Sequence, residues 1–333
     1  MIEVRSVTKR FQDTVAVNDL SFEVKPGHVT GFLGPNGSGK STTMRIIMGL
    51  DAADAGMATV NGRRFHDLPL PLREVGALLE ARAIHPGRSA FNHLWYLARS
   101  NDIPRARVLQ VLEMVGLETV ARKRAGKFSL GMGQRLGIAA ALLGDPEVLL
   151  FDEPVNGLDP EGILWVRNLL KSLAAEGRTV FVSSHLMSEM ALTADQIVVI
   201  GRGSLISAGS TSDFIAQNSG QFVRVRSPQI ERLEELVRAQ AAIVRREPGG
   251  ALAISGLSAP QIGDLAGTNG IFLHELATQS ASLEEAFMEL TRESVEFHGE
   301  PLPTSDSQPS PPDKSPSTPA AASAAGSSPT EHS

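Results

Sequence analysis

The chain has 333 residues, a net charge of −6 and a hydrophobic content of 42%, and it contains no cysteine. This length and composition suit one large domain or two smaller ones with a substantial core, and the lack of cysteine excludes disulfides and thiolate metal sites. Because the net charge is negative and both signs are spread along the chain, an electrostatic footprint for nucleic acid is not expected.

The N-terminus reads MIEVRSVTKRF and has no charged-then-apolar signal pattern. No apolar run approaches the roughly 20 residues that a bilayer-spanning helix needs. A role at a membrane would therefore require a separate partner protein.

Strand candidates and helical patterns alternate up to about Ser210. Val148–Phe151 and Thr179–Ser183 are short continuous apolar runs, as expected of buried parallel strands, and Leu164–Glu176 has a helical pattern. The alternation predicts an α/β core that binds its ligand at the carboxyl ends of the strands. The strand candidates are Ile2–Val7, Ser21–Val24, Val29–Leu33, Met57–Val60, Val75–Leu79, Val148–Phe151, Thr179–Ser183 and Gln196–Ile200.

A glycine-rich run, GPNGSGKST, lies between the strand candidate Val29–Leu33 and the helix-compatible run Ser41–Leu50. It fits the P-loop pattern G-x-x-x-x-G-K-[ST], whose main-chain N–H groups cradle phosphates at a helix N-terminus. Lys40 is expected to reach the β- and γ-phosphates, and Ser41 to bind Mg²⁺. The expected nucleotide-binding residues are Gly34, Asn36, Gly37, Ser38, Gly39, Lys40, Ser41 and Thr42.

The pattern between about residues 88 and 127 is helical alone, with an interruption at Asn101–Pro104. We interpret it as a helical insertion into the α/β core. Further on, the run VLLFDEP places Asp152 and Glu153 at the end of a buried strand, on the same sheet edge as the P-loop. Asp152 suits a Mg²⁺ ligand, and Glu153 suits polarisation of an attacking water.

A smaller unit follows, over about residues 220–295. Phe222–Arg226 alternates like a strand, Ile230–Ala239 is helical, and Ile243–Arg246 with Ala251–Ile254 is typical of a hairpin. Two further elements are predicted, a strand at Ile271–Leu276 and a helix at Ser282–Thr291, in which Ser282 and Glu285 form a capping box. The whole predicts a small α+β appendage.

The last segment, residues 300–333, is rich in Pro, Ser, Ala and Thr, and holds eight of the 20 prolines. Such a composition buries too little apolar surface to offset chain entropy, so a disordered tail is predicted. A proline-rich ligand for a partner is the alternative interpretation.

The order of these features up to Ser210 resembles the ATP-binding subunits of ABC transporters. The run FSLGMGQR from Phe128 is similar to the family's signature sequence, in which Ser129 and Gly131 match while Phe128, Leu130 and Met132 depart from the consensus. The SLGM variant resembles an exporter subgroup associated with bacitracin, lantibiotic and anthracycline export.

Four further positions carry roles that only the resemblance implies. Asp159 matches a contact across the family's dimer, and His185 matches the switch histidine that holds the γ-phosphate and orients the glutamate. Phe11 lies where the family stacks an aromatic ring on adenine, with core packing as the alternative. Glu80 stands where most members have the metal-ligating glutamine of the Q-loop, a departure that the exporter subgroup shares.

The resemblance implies a P-loop NTPase fold over residues 1–210, with a RecA-like core, an antiparallel β subdomain and the helical insertion. Two copies would face head to tail, each ATP lying between one P-loop and the other copy's Ser129–Gly131 stretch. With ATP and Mg²⁺ as ligands, Glu153, His185 and Lys40 would carry out hydrolysis. The expected partners are a second copy or a related subunit and a membrane permease, at the cytoplasmic face of the membrane.

Two alternatives from other functional classes are considered. The first is an ABC-type ATPase that acts on ribosomes or DNA, although those proteins usually carry two cassettes or a long coiled coil. The second is a nucleotide-gated regulator with little turnover, which the presence of Glu153 and His185 disfavours.

Overall fold

A computed structural model of the chain describes residues 1–80, 84–218, 222–247, 249–279, 283, 284 and 287. The strands are β1 (Ile2–Phe11), β2 (Thr14–Val24), β3 (Val29–Leu33), β4 (Ala55–Val60), β5 (Val75–Leu78), β6 (Val148–Asp152), β7 (Thr179–Ser183), β8 (Gln196–Gly201), β9 (Ser204–Ser210), β10 (Phe222–Arg226), β11 (Ile243–Arg246), β12 (Leu252–Ser255) and β13 (Glu275–Gln279). The helices are α1 (Lys40–Ile47), α2 (Pro71–Glu74), α3 (Ala90–Arg99), α4 (Arg105–Met114), α5 (Leu130–Leu142), α6 (Pro160–Ala175), α7 (Met187–Thr193), α8 (Thr211–Asn218), α9 (Ile230–Ala239) and α10 (Ala259–Thr268).

A six-stranded sheet in the order β5-β6-β7-β3-β8-β9 forms the centre of the N-terminal part. All neighbouring pairs are parallel except β8 and β9. Every residue of β3 and β7 is buried, as expected of parallel strands that are covered on both faces. The segments that follow β3, β6 and β7 therefore leave the same edge of the sheet side by side.

Two apolar cores flank this sheet. On one side the antiparallel sheet β2-β1-β4 packs on it, and the rings of Phe22, Phe32 and Phe181 meet there at centroid distances of 5.0 to 5.6 Å. The larger core, on the other side, contains side chains from α3, α4, α5 and α6. Leu283 and Phe287, from the far end of the described chain, are also buried in that larger core.

The C-terminal unit has the order β10-α9-β11-β12-α10-β13, and its strands form one antiparallel sheet in the order β11-β12-β10-β13. It has a core of its own, in which Val223, Val225 and Ile254 pack against Leu233 of α9 and Ile262 of α10. This is a small α+β arrangement, the class that the sequence indicates for this region.

Two elements were missed or misplaced by the sequence-based predictions. The segment Ser204–Ser210 is a strand that the sequence did not predict, because its small and polar residues give no clear alternation. The strand predicted at Ile271–Leu276 lies at Glu275–Gln279 instead. Ile271 is buried in the small core outside any strand, so its apolar character reflects packing and not strand pairing.

Most of the predicted helix Ser282–Thr291, with the proposed capping pair Ser282 and Glu285, lies outside the described residues, as does the whole predicted tail 300–333. Leu283, Glu284 and Phe287 are helical. Within the described ranges, none of the helices is long and apolar enough to cross a membrane.

Candidate functional site

The loop between β3 and α1 curls around an open cleft of about 270 Å³ that is lined by Ala16, Asn36–Thr42, Asp152 and Glu153. Gly37 and Gly39 have positive φ angles of 79° and 101°, which glycine adopts without steric cost. A Cβ atom on Gly39 would lie 2.4 Å from the carbonyl oxygen of Ala16, so no other residue fits there. The loop thus has the backbone shape that its sequence predicts.

Lys40 is the first residue of α1, and its side chain is only 8% exposed. Its Nζ donates to the carbonyl oxygens of Gly34 at 2.6 Å and Pro35 at 3.1 Å. Burial lowers the pKa of Lys40, against the opposing effect of the Glu153 and Asp152 carboxylates. The ammonium group is thus partly stripped of water beside a cleft with acidic groups at its wall, where an added anion would interact with it strongly.

Asp152 and Glu153 are held together by one serine at the end of the neighbouring strand β7. The hydroxyl of the buried Ser183 donates to Asp152 Oδ1 and accepts from the main-chain N–H of Glu153 at 3.0 Å. The same N–H also lies 3.3 Å from the Ser183 carbonyl oxygen. Glu153 has a φ of 50°, an uncommon conformation that these bonds stabilise.

The side chain of Glu153 contacts His185, which follows β7. Glu153 Oε2 lies 2.8 Å from His185 Nδ1 and 3.4 Å from the His185 main-chain nitrogen. The imidazole is half exposed while the carboxylate is partly buried. A carboxylate on Nδ1 fixes the orientation of the ring and leaves Nε2 free to face a ligand.

Ser129 caps the N-terminus of α5, where its Oγ accepts from the N–H of Met132 at 3.2 Å. It lines a second cleft, with Ile84, Pro86 and Phe128, and is not part of the P-loop cleft. Asp159 caps α6 in the same way, because its Oδ1 accepts from Gly162 N at 2.9 Å. Within one chain, Ser129 and Asp159 therefore act as helix caps.

The first turn of α5 packs against the loop that leads into α6. A Cβ on Gly131 would lie 3.2 Å from Leu158 Cδ2, and one on Gly157 would lie 2.1 Å from Leu130 Cδ2. The start of α5 therefore packs directly against the segment that precedes Asp159.

Phe11 lies at the end of β1 and is 48% exposed, so the alternative of core packing is wrong. Lys9 Nζ lies 5.2 Å from the centroid of its ring. Glu80 is exposed two residues after β5. The pKa of Arg45, near the end of α1, is raised mainly by its hydrogen bond to Asp51, and the nearby charge of Glu80 raises it further.

The oxygen groups at the P-loop cleft fit Mg²⁺ better than a transition metal. Ser41 supplies a hydroxyl and Asp152 a carboxylate, both hard oxygen donors, to the same cleft. The described residues contain no cluster of three or more His, Cys, Asp or Glu side chains that could hold a metal alone. Such a sparse donor set suits Mg²⁺ bound together with substrate phosphates and water.

Two residues of the site were missed by the sequence analysis, namely Ser183 and Gln134. Gln134 lies in α5, is 3% exposed, and donates from Nε2 to the carbonyl oxygen of Glu153 at 3.0 Å. Both residues act through contacts between segments far apart in the chain. Gln134 lies within the signature-like run FSLGMGQR, but nothing in that run indicates its contact with Glu153.

Comparison with known proteins places these features in a family. The ABC transporter family profile matches residues 17–156, and a domain of unknown function (DUF8746) matches residues 221–284. An uncharacterised ABC transporter ATP-binding protein, YhcH of Bacillus subtilis, is 35% identical over 300 residues, which are 89% of this chain and 97% of that protein. The bacitracin transport ATP-binding protein BcrA of Bacillus licheniformis is 41% identical over 62% of this chain and 68% of its own length.

Solved structures of ABC transporter ATP-binding proteins have a similar fold. The ATP binding subunit of an ABC transporter superposes with a TM-score of 0.61 at 26% identity, over 65% of this chain and 92% of that one. A dimeric structure of the cassette MJ0796, in a post-hydrolysis state bound to ADP and Pi, superposes with a TM-score of 0.57 at 26% identity, over 63% and 99%.

Proposed function

The chain belongs to the ATP-binding proteins of ABC transporters, and from this premise we propose that it hydrolyses ATP at a head-to-tail dimer interface to drive export through a separate membrane permease. The observation that carries the proposal is the position of Glu153. Its carboxylate lies at the P-loop cleft, bonded to His185, where a γ-phosphate and an attacking water would meet.

Binding of the triphosphate depends on the P-loop. The main-chain N–H groups of residues 36–42 and the N-terminus of α1 would hold the β- and γ-phosphates, and Lys40 would exchange its carbonyl partners for phosphate oxygens. Ser41 and Asp152 would hold Mg²⁺, which neutralises phosphate charge when bound. The exposed ring of Phe11 is available for stacking on adenine.

In the hydrolytic step, Glu153 would accept a hydrogen bond from the attacking water and align it with the γ-phosphorus. The bond from the water oxygen to phosphorus forms as the bond to the β–γ bridging oxygen breaks, and ADP leaves. His185 and Lys40 would stabilise the charge of the γ-phosphate oxygens.

We propose that a second copy completes each site. In the single chain, Ser129 and the P-loop line different clefts, so Ser129 would act on a nucleotide held by the partner. The N-terminus of α5 with Ser129 and Gly131 would then face the γ-phosphate, and Asp159 would contact the partner across the interface. The neighbouring structure of MJ0796 is described as dimeric, which supports this arrangement.

The permease is the second proposed partner. It would hold the protein at the cytoplasmic face of the membrane and dock near Glu80 and the helices α3 and α4. BcrA is described as a bacitracin transport protein, and a Nod factor export protein of Cupriavidus pinatubonensis is 34% identical over 87% of this chain. The second name supports export as the direction of transport.

The test compares ATP turnover of the wild type with Glu153→Gln and with a matched exposed control, Glu113→Gln on α4. Because the amide cannot polarise water as the carboxylate does, Glu153→Gln should lower kcat by about 100-fold or more, with the affinity for ATP retained. It should also elute as a dimer with ATP in gel filtration. Turnover at the wild-type rate in Glu153→Gln would remove the assignment, and Glu113→Gln should leave turnover unchanged.

A further inference from the structure

The carbonyl group of Glu153 is held by a side chain from a different element. Gln134 Nε2 donates to it at 3.0 Å, and the main-chain N–H of Asn156 approaches it at 3.2 Å. The main-chain N–H of Glu153 donates to the hydroxyl of Ser183. Both polar groups of the Glu153 backbone are thus tied down, at a residue with a φ of 50°.

The orientation of the Gln134 amide follows from its surroundings. The side chain is 3% exposed, and its Oε1 has no hydrogen-bond partner among the described residues. A reversed amide would place Oε1 against the Glu153 carbonyl oxygen, two acceptors facing each other, so Nε2 must be the atom that points to it. A buried amide with one orphaned oxygen is costly, which is typical of a side chain kept for what it holds.

Gln134 lies in α5, the helix that Ser129 caps, but the two side chains face different surroundings. Ser129 is exposed at the start of α5, while Gln134 reaches inward to the segment after β6. A helix moves as a rigid unit over this length, so a displacement of its N-terminus moves the donor on which the Glu153 carbonyl rests.

We propose that Gln134 is a positioning residue that sets the backbone of Glu153, and that it links the α5 end facing the partner's nucleotide to the glutamate acting on the chain's own nucleotide. This inference rests on the function proposed above. It predicts that removing the amide donor lowers the rate of hydrolysis and leaves nucleotide binding by the P-loop intact.

The main test uses Gln134→Met, which keeps the length and helix propensity of the side chain but cannot donate. We expect kcat to fall by about tenfold or more, since a small displacement of a reacting group costs rate steeply, while KM for ATP changes by less than about twofold. The exposed Gln240, directly after α9, offers a control outside the proposed interfaces, and Gln240→Met should retain the wild-type kcat. An unchanged kcat in Gln134→Met overturns the inference.

A double-mutant cycle separates positioning from a general structural defect. If Gln134 acts through Glu153, adding Gln134→Met to Glu153→Gln should not lower the residual single-turnover rate further. If Gln134→Met lowers the rate by the same factor in the wild type and in Glu153→Gln, Gln134 acts on something other than Glu153. If the wild type itself does not hydrolyse ATP, or if Glu153→Gln is fully active, the proposed function fails and not this inference alone.

A second variant covers the case in which Gln134→Met does not fold. Gln134→Glu keeps the shape, but the introduced carboxyl can donate only when it is protonated. Its kcat relative to the wild type should therefore rise as the pH falls. A ratio that stays constant with pH contradicts the role of the donor.

Discussion

At the residue scale, Ser183 connects the two acidic residues of the site. Its hydroxyl donates to the Asp152 carboxylate and accepts from the Glu153 N–H, so a single buried atom orients both groups. We expect Ser183→Ala to lower kcat by about tenfold and to change the affinity for ATP much less. The reason is that the N–H of Glu153 loses its better acceptor and the carboxylate of Asp152 loses a donor. Steady-state kinetics with Mg-ATP measure both quantities.

The control is Ser172→Ala, which removes an exposed hydroxyl on α6 whose one bond among the described residues is to the carbonyl oxygen of Leu169. It should have wild-type kinetics. A Ser183→Ala variant with unchanged kcat would show that Asp152 and Glu153 are oriented without the hydroxyl.

The residues of the P-loop and the acidic pair were predictable from sequence because their chemistry depends on local order. Gly39, Lys40, Asp152 and Glu153 lie in short motifs that encode a turn or a strand end. Ser183 and Gln134 escaped prediction because they contact Glu153 from 30 and 19 residues away. Only the strand order, β6 beside β7, brings Ser183 to the acidic pair.

At the scale of elements, α3 and α5 begin with the same cap. The Oγ of Ser89 accepts from Asn92 N at 3.2 Å, and that of Ser129 accepts from Met132 N at 3.2 Å. Replacing either serine by alanine should therefore cost a similar stability, about 1 kcal/mol. Only Ser129→Ala should also reduce ATP hydrolysis, because only α5 is proposed to face the partner's nucleotide.

Urea denaturation and ATP turnover of the two variants, measured side by side, separate the capping role from the catalytic one. Equal losses of turnover in Ser89→Ala and Ser129→Ala would mean that helix stability alone explains the effect. Equal losses of stability with unequal turnover support the trans contact.

The elements themselves were predictable to different degrees. The buried strands β3 and β7 and the strand β10 begin and end where the sequence indicates, since continuous or alternating apolar residues define them. The strand β9, with the sequence SLISAGS, was not predicted because its composition does not favour a strand. It is a strand because it pairs with β8. The apolar residues around Ile271 were misassigned because they pack in a loop against the small core.

At the scale of the whole molecule, the C-terminal region contributes to the larger N-terminal core. Leu283 is 1% exposed and Phe287 is 6% exposed, and both belong to the core that the helices α3 to α6 build. The division of the chain at about residue 210, into a cassette and an appendage, therefore stays a prediction from the sequence. The two segments share buried surface.

This contact predicts a stability effect at a distance from the P-loop. Phe287→Ala should lower the free energy of unfolding by about 3 to 5 kcal/mol, as for other buried aromatic side chains. Phe272→Ala is the matched control, because Phe272 is 71% exposed and its removal should change stability by less than about 0.5 kcal/mol. Urea denaturation of the full chain measures both, and equal effects would contradict the burial of Phe287.

The position of Phe287 also has a consequence for how the protein is made. Translation delivers the P-loop first and residue 287 more than 240 residues later, so the largest core stays incomplete while most of the chain is already outside the ribosome. A nascent polypeptide halted before Leu283 would display uncovered apolar surface on its ATP-binding half, which is the kind of surface that chaperones recognise.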